Sequence, residues 1–269
     1  MEARHEALPV SLSGAKVHTV LAALVLARAR VVSDTSLSTL LWDWAPPSTS
    51  GAQLYTYVSR IRAALGSAAD VVREARGYSL RPAAGTHIDA VEFERLTRQG
   101  ADEISSGAPG RAATTLRAAL GLWRGPALSN TTEYLITTEA AQLEERRAIA
   151  LESRIEADLA LGRHRALVPE LTGLVARQPL RERLRVQLMT ALCRADRQAD
   201  AIGTYHEGRR VLAEELGVDP GPALTDAYQA ALHGGLTALS GGPRSARSGR
   251  CPRTGRLRGM PLGAQRYRR

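Results

Sequence analysis

Apolar positions Val17, Val20, Leu21, Leu24 and Val25 recur three and four residues apart, a helical period that predicts a first helix reaching about Ala29. Ser33 before Asp34 supplies an N-cap for a second, short helix carrying Leu37, Leu40 and Leu41, which Pro46-Pro47 stops. Ser48 or Thr49 caps a third helix, in which Leu54, Val58, Ile61 and Leu65 form one apolar stripe and Gly66 ends it. Val71-Val72 and Tyr78 to Leu80 are short extended runs joined through Arg73, Arg76 and Gly77, the pattern of a small hairpin. Ahead of the first helix, Val10 to Leu12 is a weak strand candidate. Three helices followed by a hairpin outline a winged helix, a helix-turn-helix variant with an added β wing.

From about Asp89 the period is helical throughout, with helices expected near 90–106, 109–124, 134–161, 165–177, 181–194, 197–216 and 221–233. Leu161-Gly162-Arg163 aligns with Ala195-Asp196-Arg197 at a spacing of 34 residues. That is the tetratricopeptide period, in which paired antiparallel helices stack and bury each other's apolar stripes. The unit around Leu116 to Trp123 is off period, because Gly125 to Glu133 intervenes. The expected fold class is therefore mainly α, an N-terminal winged helix followed by an all-α tetratricopeptide-like domain. The expected divisions are residues 1–87, 88–233 and an Arg-rich, disordered segment 234–269, whose Gly, Pro, Ser and Arg content gives it little to bury.

A chain of 269 residues, 44% hydrophobic, is long enough for a sizeable core, and its aromatic content of 4% with abundant Ala and Leu favours helix. The net charge of +9 changes the picture only once it is located. Residues 234–269 hold nine Arg and no acid, so the remaining body is neutral. Within that body, residues 1–87 carry nine basic against six acidic side chains, and the following stretch carries 18 against 21. The first part is the plausible polyanion binder. Cys193 and Cys251 form no disulfide framework and no zinc spacing, which fits a reducing, cytoplasmic setting. The apolar run Val17 to Ala27 is shorter than the roughly 20 residues of a membrane span, so no membrane partner is expected.

On the third helix, the face opposite the apolar stripe carries Gln53, Thr56, Ser59, Arg60 and Ala63, flanked by Tyr55 and Arg62. A helix entering the major groove needs such amide, hydroxyl and guanidinium groups to reach base edges and phosphates. An ordinary solvated helix face carries the same pattern. Arg73 and Arg76 lie in or beside the wing, where cations meet phosphates or the minor groove, and Lys16, the chain's only lysine, lies near a helix N-terminus. A solvated turn and a plain surface residue are the corresponding bland readings. Trp42, Trp44 and Trp123 read as core packing. No phosphate loop, nucleophile elbow or paired metal-spaced His occurs, so no catalytic residue, cofactor or metal is expected, and the chain does not read as an enzyme.

These stretches carry a resemblance. Leu21 to Leu26 before Arg30-Val31-Val32-Ser33, the helix ending Leu41-Trp42, Tyr57-Val58-Ser59-Arg60-Ile61-Arg62 and Gly77-Tyr78-Ser79-Leu80 are followed by Leu122-Trp123-Arg124-Gly125-Pro126 and Leu159 to His164. Pro179-Leu180-Arg181-Glu182 and Glu214 to Pro222 complete the series. Over roughly residues 8–233 the chain resembles the Streptomyces antibiotic regulatory protein family of pathway-specific activators, and its second half resembles the bacterial transcriptional activator domain. The resemblance implies an activator that binds direct repeats in double-stranded DNA near promoters of secondary-metabolite gene clusters. It also implies head-to-tail pairing and recruitment of RNA polymerase with its sigma factor. On that reading Gln53, Thr56, Ser59 and Arg60 contact bases, while Lys16, Tyr55, Arg62, Arg73 and Arg76 hold phosphates.

The sequence departs from the family pattern at several places. The family's small N-terminal antiparallel sheet is reduced to Val10 to Leu12, and Gly14-Ala15-Lys16-Val17-His18 replaces Gly-Pro-Lys with a following Arg. Tyr55 stands where Gln is common, and Ala63 where Arg is common, so altered DNA affinity is expected. A second class of reading follows from the reduced sheet: a helical-repeat adaptor whose N-terminal part no longer reads DNA.

Overall fold

The computed structural model describes residues 12–234, together with the backbone of two short strands, β1 (Arg4–His5) and β2 (Leu8–Pro9). The expected disordered segment lies, but for Gly234, outside the described residues. β1 and β2 pair antiparallel, just ahead of the strand expected at Val10 to Leu12. Val10 and Ser11 lie outside the described residues, and Leu12 is no strand: its half-buried side chain packs against the first core.

Helix α1 (Ala15–Leu26) buries Val17 and every residue from Thr19 to Val25. A helix apolar on all sides needs cover on all sides. Helices α2 (Asp34–Trp42) and α3 (Ser50–Leu65) cover one side with Leu37, Leu41, Leu54, Val58 and Ile61. α1 stops at Leu26 rather than Ala29, because Arg28 and Ala29 adopt positive φ (52° and 61°) and swing the chain toward the next strand. Left-handed residues cannot continue a right-handed helix.

That next strand, β3 (Val32–Ser33), had no counterpart in the sequence pattern. It pairs with β5 (Gly77–Pro82), which pairs on its other edge with β4 (Ala69–Glu74), giving the order β3-β5-β4. The hairpin turn is therefore Ala75-Arg76, with Arg73 and Gly77 inside strands rather than in the loop. Gly77 is obligatory there: a Cβ on it would sit 2.0 Å from the Val32 carbonyl oxygen. Ser33 caps α2, its hydroxyl accepting from the Ser36 N–H at 3.0 Å. Thr49 precedes α3 without a side-chain cap; its hydroxyl accepts from the Gln53 side chain instead.

The second part is an antiparallel array: α4 (Asp89–Ser105), α5 (Pro109–Gly121), α7 (Ala141–Ala160), α8 (His164–Arg177), α9 (Glu182–Arg194), α10 (Gln198–Leu216) and α11 (Pro222–Leu232). The 34-residue period is visible in the backbone. Gly162 and Asp196 both take positive φ, and Arg163 and Arg197 donate to the carbonyls of Asp158 and Leu192, five residues back in each case. The same helix-ending turn is thus used twice. Its core runs from Ile155 through Leu171, Leu184 and Met189 to Leu224.

Residues 122–140 leave the array. They hold a one-turn α6 (Glu133–Leu135) and a π turn, Ile136–Ala140, that runs into α7. Leu128, Leu135 and Ala140 bury themselves against Ala22 of α1, the side that α2 and α3 leave open, with Leu26 and Leu40 alongside. Thr132 fixes this joint: its N–H donates to the Thr19 hydroxyl at 2.8 Å and its own hydroxyl donates to the Leu40 carbonyl at 2.7 Å. The interruption that breaks the repeat period is therefore the segment that seats the array on the winged helix.

Candidate nucleic-acid interface

The apolar stripe of α3 faces α1 and the sheet, which turns its opposite face to solvent. Thr56, Ser59, Arg60 and Ala63 are exposed on it, Tyr55 stands out from its flank, and Gln53 is half-buried. The Gln53 amide is held within the helix, donating to the Thr49 hydroxyl (2.9 Å) and accepting from the Tyr57 hydroxyl (3.2 Å). Thr56 donates to the Ala52 carbonyl at 2.9 Å, which leaves its oxygen lone pairs as acceptors. Ser59 and Arg60 lie one turn further along on the same side.

The arginines fall into two kinds. Arg62 is half-buried and donates through Nε and Nη2 to the Val71 carbonyl (2.8 and 2.5 Å), tying α3 to β4. Arg73 makes a two-pronged bond to Asp34 (2.6 and 2.7 Å) and lies over the Tyr78 ring, 4.7 Å from its centre. The hydrogen bonds that Arg73 donates to Asp34 raise its guanidinium above the ordinary range, outweighing the opposing effect of desolvation. Arg60 on α3 and Arg76 at the hairpin tip are exposed. Lys16 stacks its ammonium on Trp42, 4.8 Å from the ring centre, near the start of α1.

Between the N-terminal turns of α2 and α3 and the hairpin lies a groove of about 610 Å³, lined by Thr35, Ser38, Ser50, Gly51, Tyr55 and Arg62, with the Asp34–Arg73 pair at its edge. Its lining brings hydroxyls and the guanidiniums of Arg62 and Arg73 beside the positive ends of two helix dipoles, with the Asp34 carboxylate among them. The sequence pattern missed Asp34, Thr35, Ser38 and Ser50 as members of this surface. Ser33-Asp34 was legible as a cap, but the pairing of Asp34 with a residue 39 positions away was not. Trp44, expected in the core, lies beyond the end of α2 and is 82% exposed, because Asp43 takes a positive φ of 58° and turns the chain outward.

Residues 88–232 match the bacterial transcriptional activator domain family. The chain is also 36% identical over 240 residues to the regulatory protein DnrI of Streptomyces peucetius, covering 86% of this chain and 88% of that one, so the match takes in the winged helix with the array. The chain belongs to the Streptomyces antibiotic regulatory protein family, a family of transcriptional regulators. The regulatory protein AfsR of Streptomyces coelicolor is 40% identical over 213 residues, 79% of this chain, which spans about a fifth (21%) of AfsR. A solved structure of Mycobacterium tuberculosis EmbR in complex with a low affinity phosphopeptide superposes with a TM-score of 0.80 at 34% identity, over 85% of this chain and 62% of that one. As a member of the antibiotic regulatory family, the chain has the winged helix and tetratricopeptide-like array that its residue pattern predicts. Among the described residues no helix is long and apolar enough to cross a membrane.

Proposed function

We propose that this chain is a sequence-specific DNA-binding transcriptional activator of a secondary-metabolite gene cluster, cytoplasmic and nucleoid-associated, in which residues 1–87 read DNA and residues 88–233 form the activator domain. The observation that carries this is the solvent face of α3, where Thr56, Ser59 and Arg60 form one exposed polar strip beside a hairpin tipped by Arg76. The α3 face, with Gln53 at its start, enters the major groove and reads bases, Arg60 making the bidentate contact to guanine that its rigid fork favours. Arg76, Lys16 and Tyr55 meet phosphates around it. Arg62 and Arg73 reach the backbone with the donors their internal partners leave over, and shape the surface with the rest. Two chains bound head to tail on direct repeats add their phosphate and base contacts, and the array supplies the surface for pairing and for RNA polymerase with its sigma factor.

A gel-shift titration against promoter DNA from adjacent genes, at two salt concentrations and with Arg60→Ala as control, tests this. Saturable binding that outcompetes random DNA and collapses in the control is the expected result. Equal, weak binding to every DNA would overturn it and leave an adaptor acting through its helical array.

A further inference from the structure

Where the array meets the winged helix the apolar surfaces do not close completely. A cleft of about 280 Å³ remains, walled by Leu26 of α1, Phe93 of α4, Trp123 and Leu128 of the connecting segment, and Leu143 and Arg146 of α7. That volume lies just under the roughly 300 Å³ at which ligand pockets begin, which suits a compact guest, and its make-up, largely apolar with a few polar groups, is theirs. Phe93 and Trp123 meet edge to face with ring centres 5.3 Å apart, which puts two aromatic side chains at right angles in the wall.

The charged side chains of its lining are Asp89, Glu94, Arg124 and Arg146, of which Arg146 stands on α7 beside Leu143. The Glu94 carboxylate is shared by two guanidiniums, Arg28 from beyond α1 and Arg146 from α7. Behind the wall, Glu144 is engaged by the Ala127 N–H at 2.7 Å and by Arg147, which also lies over the Trp123 ring. Asp89 accepts from the Ala90 N–H at the start of α4. Each carboxylate is thus already bonded, whereas Arg146 has given one nitrogen to an acid that Arg28 also neutralises. An incoming anion meets a guanidinium with donors to spare.

We propose that this cleft binds a compact aromatic molecule carrying a carboxylate, its ring system against Trp123, Phe93 and Leu128 and its acid group on Arg146. The site lies outside the α3 surface, so the inference stands whether or not α3 reads DNA. The ligand touches α1 and the array together, and its binding raises the thermal midpoint of the whole chain.

The probes are 1-naphthoate and its uncharged analogue 1-naphthalenemethanol, followed by saturation-transfer NMR and tryptophan fluorescence on the full chain. Naphthoate is expected to bind saturably at one per chain, and to bind tighter than the alcohol. Ser129→Trp, at an exposed position on the cleft wall, fills the space and abolishes binding. Arg146→Ala, which leaves Glu94 its bond to Arg28, weakens naphthoate by about tenfold and leaves the alcohol unchanged. Circular dichroism and the thermal midpoint of both variants confirm that they fold. No saturable binding to the wild-type chain, or binding that a folded Ser129→Trp variant retains, overturns the site. Naphthoate affinity untouched by Arg146→Ala overturns the acid specificity.

Discussion

The exposed arginines of the winged helix and the paired arginines of the helical array put the same side chain in opposite surroundings. In the array, arginines lock buried carboxylates. Asp158, with its side chain 2% exposed, accepts from Arg117 (2.5 Å), Arg154 (3.2 Å) and Arg163 (2.6 Å), gathering α5, α7 and the turn after α7. Arg181, at the start of α9, likewise holds the buried Glu152 of α7, and bonds the exposed Glu145 beside it. On the α3 face and the hairpin tip, Arg60 and Arg76 are exposed instead. The two regions differ by six net charges, +3 for residues 1–87 against −3 for residues 88–233, yet within the winged helix itself Arg62 and Arg73 are paired inside the fold while Arg60 and Arg76 are exposed.

The largest effect that could break this comparison is expected at Asp158. Burial alone would raise its carboxyl, but the hydrogen bonds from Arg163, Arg117 and Arg154 outweigh that and hold it below the usual aspartate value. Asp158→Asn should cost about 3 kcal/mol in urea unfolding, the low end for a broken buried ion pair, because Arg154 keeps Glu170 and the other two guanidiniums reach water. The pH dependence has a fixed sign. A carboxyl lowered in the folded state binds fewer protons there than in the unfolded chain, so its stabilisation is complete above the unfolded value of about 3.9. It is lost as pH falls through the lower folded value, and an acid titration of Asp158→Asn should lack that loss.

Gly77→Ala comes next. A Cβ so close to the Val32 carbonyl forces β3 and β5 apart, an overpacking expected to cost about 1 to 3 kcal/mol in thermal or urea unfolding. A variant as stable as wild type would show that β3 is not needed to hold the wing. Arg60→Ala sharpens the contrast from the other side: specific DNA affinity should fall by about 1 to 3 kcal/mol in a gel shift, with stability changed by less than about 0.5 kcal/mol. Loss of stability instead would place Arg60 among the structural arginines. The smallest effect belongs to Asp34→Asn. The half-exposed pair with Arg73 contributes at most about 1 kcal/mol to folding, yet its removal frees a cation at the wing. DNA affinity should rise and its salt dependence steepen by about one phosphate contact, measured by titration at several salt concentrations.

Much of this molecule was legible along the chain. The stripe Leu54, Val58, Ile61, Leu65 defined α3 and, by subtraction, its solvent face; the 34-residue spacing of Gly162 and Asp196 located a repeated turn. Those signals are local, since a helical period couples residues three and four apart and a left-handed turn needs one suitable residue. Less visible were the positive φ at Arg28 and Ala29 that ends α1 early and the strand β3 that follows, because neither residue type announces them.

The sequence by itself determined the helices, the hairpin, the family and the polar face of α3. Only the tertiary structure decided which arginines are committed and how the two parts meet. Arg73 finds Asp34 from 39 positions away, Thr132 reaches back 113 and 92 positions to Thr19 and Leu40, and Arg117 and Asp158 close a span of 41. Partners so distant share no period. Their pairing depends on how packed helices place side chains in space, and a charge counted along the chain carries no record of whether folding will leave it free.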